Sequence, residues 1–483
     1  MREILRRNEG TSLRELQRSN FKNILDAVGD AETILLGEAT HGTEEFYRTR
    51  ADLTAALLQQ ADFDAVLCEG DFAPFSDLNR YVGGAPAANR RVEGDPISSM
   101  QDAFARFDRF PVWMWRNDAF VKFVAWLADF NQQRERHVQL LGIDVYGIYQ
   151  STSEVVSYLE ASGEADMAQS VRASYSTIES FRPEAADYGK AVFYHAVPSQ
   201  AQNVTQVLKQ LREQERRLPQ HLGDEQELWN ALENARVVAE SELFHRQLMV
   251  SRERKDDGML WNIREAAMFH ALQNARSHIA SQIGRPARVI IWAHNSHVGD
   301  ARASDHAKKR GGPPHFNLGQ LCRQVMGKKN VYIVGFTCNQ GTVRAAREWG
   351  EEDRVMKLLP AFEGSHEYLL GELSAATHRN IAGYCLRSNR VSDLVDEAAR
   401  ELFSTPRIQR FVGVSYVPDK ELQSHYSTSN LSEGFDYVMH VDQSHAVKSA
   451  GLKSGKAGMH AEKATKNQQQ MYLLDAFGKD ETR

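Results

Sequence analysis

The chain of 483 residues contains only four cysteines, and its charges nearly balance. Cys68, Cys322, Cys338 and Cys385 lie far apart and form no CxxC pair, which argues against a disulfide framework and a zinc knuckle. The formal net charge of -6 offers no general attraction to nucleic acid or to an anionic membrane. We therefore expect the partner to be a small molecule, and neither nucleic acid nor membrane.

Long apolar runs are also missing. None approaches the roughly 18 residues that span a bilayer, and the opening MREILRRNEG lacks the apolar stretch of a secretory signal, so we expect a cytoplasmic protein. No GxSxG motif occurs, so the arrangement of the common serine hydrolases is not indicated. HExxH, the strong signal of a zinc protease, is absent too.

The distribution of residue types predicts an α/β fold, in which a largely parallel sheet core has flanking helices and a long helical insertion. Residues 1–150 alternate strand-like and helix-like segments and form the first half of the core. Residues 151–284, rich in Glu, Gln, Ala, Leu and Arg, predict an inserted helical wall or lid. The second half of the core covers 285–446, and residues 447–483, rich in Lys, Gly and Gln, predict a flexible tail.

Individual elements can be placed from their apolar patterns. The predicted helices cover residues 43–59, 117–136 and 318–326. The predicted strands cover residues 34–37, 65–68, 138–143, 288–292, 331–336, 411–416 and 437–441.

Three of these strand-like runs end in acid or histidine. The first leads into Glu38 and His41, the second into Glu69 and Asp71, and the third into His294 and His297. The carboxyl ends of parallel strands meet at one edge of a sheet, where ligands bind. Residues some 250 positions apart are therefore expected to converge on one site, with chemistry suited to proton transfer or metal binding.

The segment GEATHGT places His41 at a junction between strand and helix, with glycines expected to make tight turns. A helix N-terminus favours the neutral imidazole, which can accept a proton. Glu69 ends a buried strand, where an unpaired carboxylate is costly, so it needs either an ion-pair partner such as Arg50 or a role in the reaction. Packing alone remains the alternative for His41.

Other candidates are less specific. His294 and His297 are spaced for a metal half-site or an acid/base relay. Asp144 is a fourth strand-end acid that could serve the site or only anchor a loop. Trp113 and Trp115, in FPVWMWRN, could stack on a ligand, although core packing explains at least one of them as well.

Six ordered motifs resemble those of the erythromycin esterase family. They are GEATHGTEEFYRTRADLTAAL, VLCEGD, FPVWMWRN, WNIREAAM, IWAHNSHVGDAR and SHYSTSNLSEGFDYVMHVD, and the resemblance covers about residues 30–150, 255–345 and 411–446. It implies an α/β core with helical additions and hydrolysis of the lactone ester of macrolide antibiotics, a route to antibiotic resistance. The family also contains members labelled for polysaccharide biosynthesis.

The resemblance further implies that His41 is the general base on water. Glu38, Glu69, Arg50, His294 and His297 would form the rest of the site. We assign Glu38, Glu69, Arg50 and His294 to catalysis, and we expect the substrate to be contacted by His297, Asp71, Trp113, Trp115 and Asp144. Arg50 lies nine residues beyond His41, which is two and a half helical turns, so the turn before residue 43 must bring it back to the site. From there it could stabilise an oxyanion or hold a carboxylate.

Two rival readings remain open. The first is a metal-dependent hydrolase in which Glu38, His41, Glu69 and His294 bind a divalent ion; otherwise no cofactor is expected. The second is a binding protein that sequesters a macrolide without hydrolysing it. Metal analysis and mass spectrometry of the ligand separate these readings from hydrolysis by activated water.

Overall fold

A computed structural model describes residues 10–84, 97–217, 225–254, 257–305 and 314–452. Most of the tail expected at 447–483 therefore lies outside the described residues. Its first residues pack on the core: Val447 is buried, and Ser449 forms a β-bridge with Asn117. Within the described ranges, no helix is both long enough and apolar enough to cross a membrane.

A nine-stranded sheet forms the centre of the molecule, and a two-stranded sheet lies apart from it. The described strands are β1 Thr11–Ser12, β2 Thr33–Leu36, β3 Ala65–Asp71, β4 Gln139–Asp144, β5 Val289–Trp292, β6 Val331–Ala345, β7 Arg354–Leu358, β8 Ile381–Cys385, β9 Arg407–Arg410, β10 Tyr426–Ser429 and β11 Tyr437–Ser444. The main path is β1-β8-β11-β6-β2-β5-β3-β4, with β7 paired to β6. β9 and β10 form the small sheet.

The six strands from β11 to β4 along this path are parallel, whereas β1, β7 and β8 pair antiparallel. Strands β2, β3 and β5 are buried along their whole length, as expected for parallel strands covered on both faces. The predicted fold class is thus confirmed.

Helices cover both faces of the sheet and form a separate block. The described α-helices are α1 Leu13–Arg18, α2 Lys22–Val28, α3 Glu44–Gln60, α4 Phe72–Gly83, α5 Met100–Ala103, α6 Val112–Trp115, α7 Asp118–Asn131, α8 Ile148–Ala161, α9 Ala165–Glu179, α10 Ala185–Phe193, α11 Ala201–Arg217, α12 Glu225–Arg254, α13 Asp257–Ile283, α14 Asn295–Val298, α15 Leu318–Met326, α16 His366–Thr377, α17 Glu397–Ser404, α18 Glu421–Ser424 and α19 Leu431–Gly434.

The inserted helices have a hydrophobic core of their own. Residues from α8 to α12, among them Val155, Tyr175 and Leu232, pack into a cluster distinct from the two clusters on the faces of the sheet. The last inserted helix, α13, instead packs against the sheet through residues such as Met268 and Leu272. One end of the insertion is therefore anchored beside the strand ends.

The predicted strand at 411–416 is wrong. Its backbone forms only isolated bridges, in which Val412 pairs with Thr40 and Ser415 pairs with Ala346. The segment is a connection that crosses the edge of the sheet, and its apolar residues are buried by that crossing. Strand β6, by contrast, extends nine residues beyond its predicted end at Phe336, because its second half pairs with β7.

Candidate active site

The register of the sheet brings the three strand ends together. On either side of β5, Leu36 of β2 and Cys68 of β3 both align with Trp292. Glu69 follows its aligned residue by one position, and Glu38 and His294 follow theirs by two. The convergence expected from the sequence therefore results from adjacent parallel strands that end at the same level.

Glu38 and His41 form a buried carboxylate–imidazole pair. The Nδ1 atom of His41 lies 2.8 Å from Oε1 of Glu38, and Glu38 is fully buried. A carboxylate can only accept, so Nδ1 carries the proton and donates it to Glu38. The Nε2 atom of His41 is therefore left as the proton acceptor, on a side chain that lines the central cavity.

Arg50 holds the other oxygen of Glu38. Its guanidinium donates to Oε2 at 2.6 Å, and neither side chain is exposed. The cation also lies over the rings of Tyr47 and Trp292, at 4.7 and 4.9 Å from their centroids. The turn before α3 thus makes the phase correction that the sequence required, and Arg50 holds a carboxylate within this structure.

Gly37 and Gly42 flank this pair for a reason that differs from the one expected. Neither is among the glycines with a left-handed φ, so no tight turn requires them. Instead, a Cβ at Gly37 would lie 2.1 Å from Oδ1 of Asn295, and a Cβ at Gly42 would lie 1.9 Å from the carbonyl oxygen of Arg344. Both glycines therefore permit close approach of neighbouring chain segments.

His294 faces His41 across the cavity, with ring centroids 4.9 Å apart. Its Nδ1 accepts from the hydroxyl of Ser296 at 2.8 Å and from the amide of the same residue at 3.3 Å. Burial and the neighbouring His41 hold the pKa of His294 well below its usual value. The neutral ring therefore carries its proton on Nε2, a buried atom, and the backbone of Ala39 is the polar group beside the ring.

Both oxygens of Glu69 are held in place. Oε2 accepts from the backbone amide of His294 at 2.8 Å, and Oε1 lies 2.8 Å from Arg264 and 3.1 Å from Nε2 of His297. Burial opposes the charge, but His297, His41 and Arg264 outweigh it and hold the pKa of Glu69 well below its usual value. The ion-pair partner suggested from sequence, Arg50, is thus not the partner in the structure.

Asp144 and Asp71 position the two arginines of the cavity wall. Asp144 accepts from Arg264 at 2.8 and 3.0 Å, and Asp71 accepts from Arg109 at 2.7 and 2.9 Å. The Tyr146 ring lies against both guanidiniums, at 4.9 and 5.0 Å. All five side chains line the cavity.

The two tryptophans of FPVWMWRN separate in the structure. Trp115 lines the cavity and donates from Nε1 to the carbonyl of Glu69 at 3.1 Å. Trp113 is a buried member of the hydrophobic core and does not line this cavity. The remaining candidates, Glu38 and Arg50, lie just behind His41 rather than on the wall.

Sequence reasoning missed one turn of α13. Trp261, Arg264 and Glu265 are among the first five residues of the WNIREAAM motif. Trp261 and Glu265 contact His297, and Arg264 contacts Glu69. Spacings of three and four residues put all three on one face of a helix, which was a signal available in the sequence. It was missed because a helix rich in Arg and Glu is most often a solvated one.

Other cavity residues come from distant segments. Phe411 and Trp349 complete an aromatic wall together with Trp261. Trp349 lies in the connection between β6 and β7, and its ring contacts Phe110 at 5.1 Å and Tyr146 at 6.2 Å. Since β6 and β4 are separated by three strands, this connection reaches across the strand ends that carry the site.

A metal site is not evident in this arrangement. Among the described residues, no group of three or more His, Cys, Asp or Glu side chains is arranged to hold a metal ion. The carboxylates of Glu38 and Glu69 are instead engaged by imidazole, guanidinium and amide groups.

Solved structures with low sequence identity share this fold. A succinoglycan biosynthesis protein matches with a TM-score of 0.68 at 16% identity, covering 92% of this chain and 98% of that one. A protein from Bacillus cereus gives 0.67 at 15% identity, with coverage of 92% and 95%. A mutant of the erythromycin esterase EreC in its open conformation gives 0.61 at 17% identity, with coverage of 92% and 99%.

The sequence itself matches the family model described as erythromycin esterase over residues 58–444, which is most of the chain. Glu69, Arg264, His294 and His297 lie within the matched segment, whereas the Glu38–His41 pair precedes it. This finding agrees with the family expected from the six motifs. The chain belongs to the erythromycin esterase family.

Proposed function

We propose that this protein is a carboxylic-ester hydrolase that opens the lactone ring of macrolide antibiotics with water activated by His41. The observation that carries the proposal is the Glu38–His41 pair. Glu38 accepts the Nδ1 proton and leaves Nε2 as a base on the cavity wall. Family membership supports an ester substrate.

The proposed reaction needs only water and the ester. His41 Nε2 takes a proton from water as its oxygen attacks the lactone carbonyl, and the carbonyl π electrons move to oxygen. The tetrahedral intermediate then collapses, the bond between the carbonyl carbon and the ring oxygen breaks, and His41 returns its proton to the departing alkoxide. The product is a single opened chain with one acid and one alcohol.

His294 is assigned to the carbonyl oxygen. Its neutral ring carries the proton on Nε2, so it can donate a hydrogen bond to the oxyanion. Because it is not an imidazolium, it is not the acid that protonates the departing alkoxide. The ring centroids of His294 and His41 lie 4.9 Å apart, so the base and the hydrogen-bond donor can act on the same ester group.

Glu69 and Arg50 support His41 in different ways. The carboxylate of Glu69 lines the cavity, and its charge favours the imidazolium that forms on His41 during attack. Arg50 holds Glu38 in place and does not reach the substrate. In this assignment Arg50 keeps the carboxylate behind His41 oriented.

The substrate is assigned to the macrolides because the cavity combines an aromatic wall with polar groups at one end. Trp261, Trp349 and Phe411 offer apolar surface. Asp71 and Asp144, each paired with an arginine, lie toward the sheet. A macrocycle with one apolar face and several oxygen substituents suits such a surface. We place the reaction in the cytoplasm, with water as the second substrate.

The test is a panel of macrolides of different ring size, incubated with purified protein and followed by mass spectrometry. Hydrolysis adds the mass of one water to the ligand. His41→Ala should abolish this gain. A matched control is His445→Ala, since His445 also pairs with a glutamate, Glu45 at 2.6 Å, but is an exposed surface residue.

The same experiment separates the rival readings. A metal-dependent hydrolase would lose activity after chelation and recover it when a divalent ion is restored, whereas activity that persists in metal-free protein removes this rival. A sequestering protein would bind a macrolide without adding water to it. If no member of the panel gains a water, the proposed function is refuted.

A further inference from the structure

One turn of α13 carries a buried carboxylate that the proposed reaction does not use. Glu265 is fully buried and does not line the cavity. Its Oε2 accepts from the backbone amide of Leu318 at 2.7 Å, and its Oε1 contacts Nδ1 of His297 in a short hydrogen bond. A buried acid with both oxygens assigned is held in one orientation.

His297 lies between two carboxylates. Its Nδ1 faces Glu265, and its Nε2 lies 3.1 Å from Oε1 of Glu69. An ionised carboxylate accepts and does not donate, so with both acids ionised both contacts are hydrogen bonds only when both ring nitrogens carry protons. Arg264 approaches Nε2 at 3.4 Å, but a guanidinium has no acceptor, and this contact is the longer of the two.

The plane of the imidazole is fixed as well. Trp261 stacks on His297 with centroids 4.8 Å apart and planes within 7°. The indole is in turn held by a hydrogen bond from its Nε1 to the carbonyl of Phe316 at 2.8 Å. With its plane and both nitrogens fixed, His297 has no second orientation in which it still reaches Glu69.

This arrangement forms a relay that ends at the cavity. Glu265 holds His297, His297 holds one oxygen of Glu69, and the other oxygen of Glu69 binds the backbone amide of His294. Without the carboxylate of Glu265, Nδ1 of His297 would have no acceptor. The form of the imidazole with both nitrogens protonated would then lose its stabilisation. Glu69 would then lose its hydrogen bond from Nε2.

We propose that Glu265 is a positioning residue, which acts through His297 to hold the carboxylate of Glu69 beside the reacting water and His41. The inference rests on the proposed hydrolysis and adds to it a residue that never contacts the substrate. Groups that orient a metal-bound histidine from behind matter by about 10- to 100-fold in affinity or activity, and we take the same scale for Glu265 behind His297.

A double-mutant cycle tests this role with the full-length protein. Glu265→Gln, Glu69→Gln and the double variant are compared in kcat and KM on the macrolide that wild type opens fastest. We expect Glu265→Gln to lower kcat by about 10- to 100-fold with KM within about threefold. In the Glu69→Gln background, Glu265→Gln should lower kcat by less than about twofold, because Glu265 affects the reaction only through the carboxylate of Glu69.

The matched control is Glu233→Gln. Glu233 is also a buried carboxylate of the helical block, held by Arg236 at 2.7 Å and Asn274 at 2.8 Å, but it does not line the cavity or contact its residues. Any loss in kcat caused by Glu233→Gln should be the same in the wild-type and Glu69→Gln backgrounds. Glu265→Asp keeps the charge on a shorter side chain, so we expect it to retain more kcat than Glu265→Gln.

The outcomes are distinct. Equal losses for Glu265→Gln in both backgrounds, or losses matching those of Glu233→Gln, overturn the positioning role. If Glu265→Gln does not fold, the cycle is run with Glu265→Asp, whose smaller loss should likewise disappear when Glu69 is absent. A wild type that opens no lactone overturns the proposed function, and this inference with it.

Discussion

Replacing Glu38 with glutamine is the most informative single change, because it removes one charge and keeps the shape. Glu38 is fully buried between Nδ1 of His41 at 2.8 Å and Arg50 at 2.6 Å. A glutamine offers one oxygen and one NH2 group in place of two acceptors. The oxygen must face Arg50, since the opposite arrangement would bring the amide protons against the guanidinium protons.

The NH2 group then faces His41 and donates to Nδ1. The imidazole proton is driven to Nε2, so the atom that should accept a proton from water is already occupied. A comparable exchange of carboxylate for amide behind a catalytic histidine costs about 10⁴ in kcat, because it selects the wrong tautomer. We expect Glu38→Gln to lower kcat by about the same factor, equivalent to about 5 kcal/mol of activation free energy.

Stability should fall in parallel. Arg50 is fully buried, and Glu38 is the carboxylate to which it donates within the described residues. Breaking a buried ion pair costs about 3–5 kcal/mol in the free energy of unfolding, and we expect the lower end because the glutamine oxygen still accepts from Arg50. Urea denaturation at pH 7 measures this loss, and mass spectrometry of macrolide opening measures kcat.

The matched control is Glu45→Gln, which changes the pair with the exposed His445 and should leave kcat within about twofold and stability within about 1 kcal/mol. A Glu38→Gln variant that folds and keeps kcat within about tenfold of wild type would refute the tautomer argument. In that case Nδ1 of His41, or another group altogether, would have to be the base.

Three further predictions concern other parts of the site. Burial disfavours the charge on His297, but Glu265 and Glu69 outweigh burial and raise the pKa of His297 to about 10, above the unfolded value of about 6.5. The charged imidazole therefore stabilises the folded state fully below pH 6.5, and this stabilisation is lost as the pH rises toward 10. Urea denaturation should therefore show wild type losing about 3 kcal/mol more than His297→Gln between pH 7 and pH 10, and equal losses would show that the ring is neutral. Gly37→Ala should lower the free energy of unfolding by about 1–3 kcal/mol, because the new Cβ would lie 2.1 Å from a neighbouring amide oxygen, whereas Gly83→Ala, which meets nothing closer than 3.8 Å, should stay within about 1 kcal/mol. Trp349→Ala removes the aromatic group that reaches across the strand ends, so KM for the macrolide should rise by about tenfold with kcat within about twofold, while the exposed Tyr194→Ala should change neither; an unchanged KM would exclude Trp349 from the binding surface.

Much of the architecture was predictable because local patterns determine it. Strand β5, the last three residues of β2 and the first four residues of β3 are continuous apolar runs, and α15 begins and ends at the predicted residues 318 and 326. The alternation of strands and helices predicted a parallel sheet, and that topology alone brings three distant strand ends to one edge. The short strands β7 and β8 were missed, because five residues each carry too little periodicity to stand out.

The site shows the same division between pattern and packing. That Glu38, His41 and His294 follow strands and that Glu69 lies in the last residues of β3 is legible in the sequence and follows from chain direction. Which residues pair with Glu69 is not, because that depends on distances across the sheet edge. Glu38 rather than Glu69 binds His41, and the partner of Glu69 comes from a helix some 195 residues later.

The amino-acid sequence therefore determined the fold class, the edge at which the chemistry collects and the family. Tertiary structure alone decided the ionised state of Glu69 and the doubly protonated state of His297. The physical reason is that each of these states depends on which donor or acceptor lies within about 3 Å in a buried place. The contacts of Glu69 with Arg264 and of His297 with Glu265 join residues 195 and 32 positions apart, and those separations carry no record of proximity.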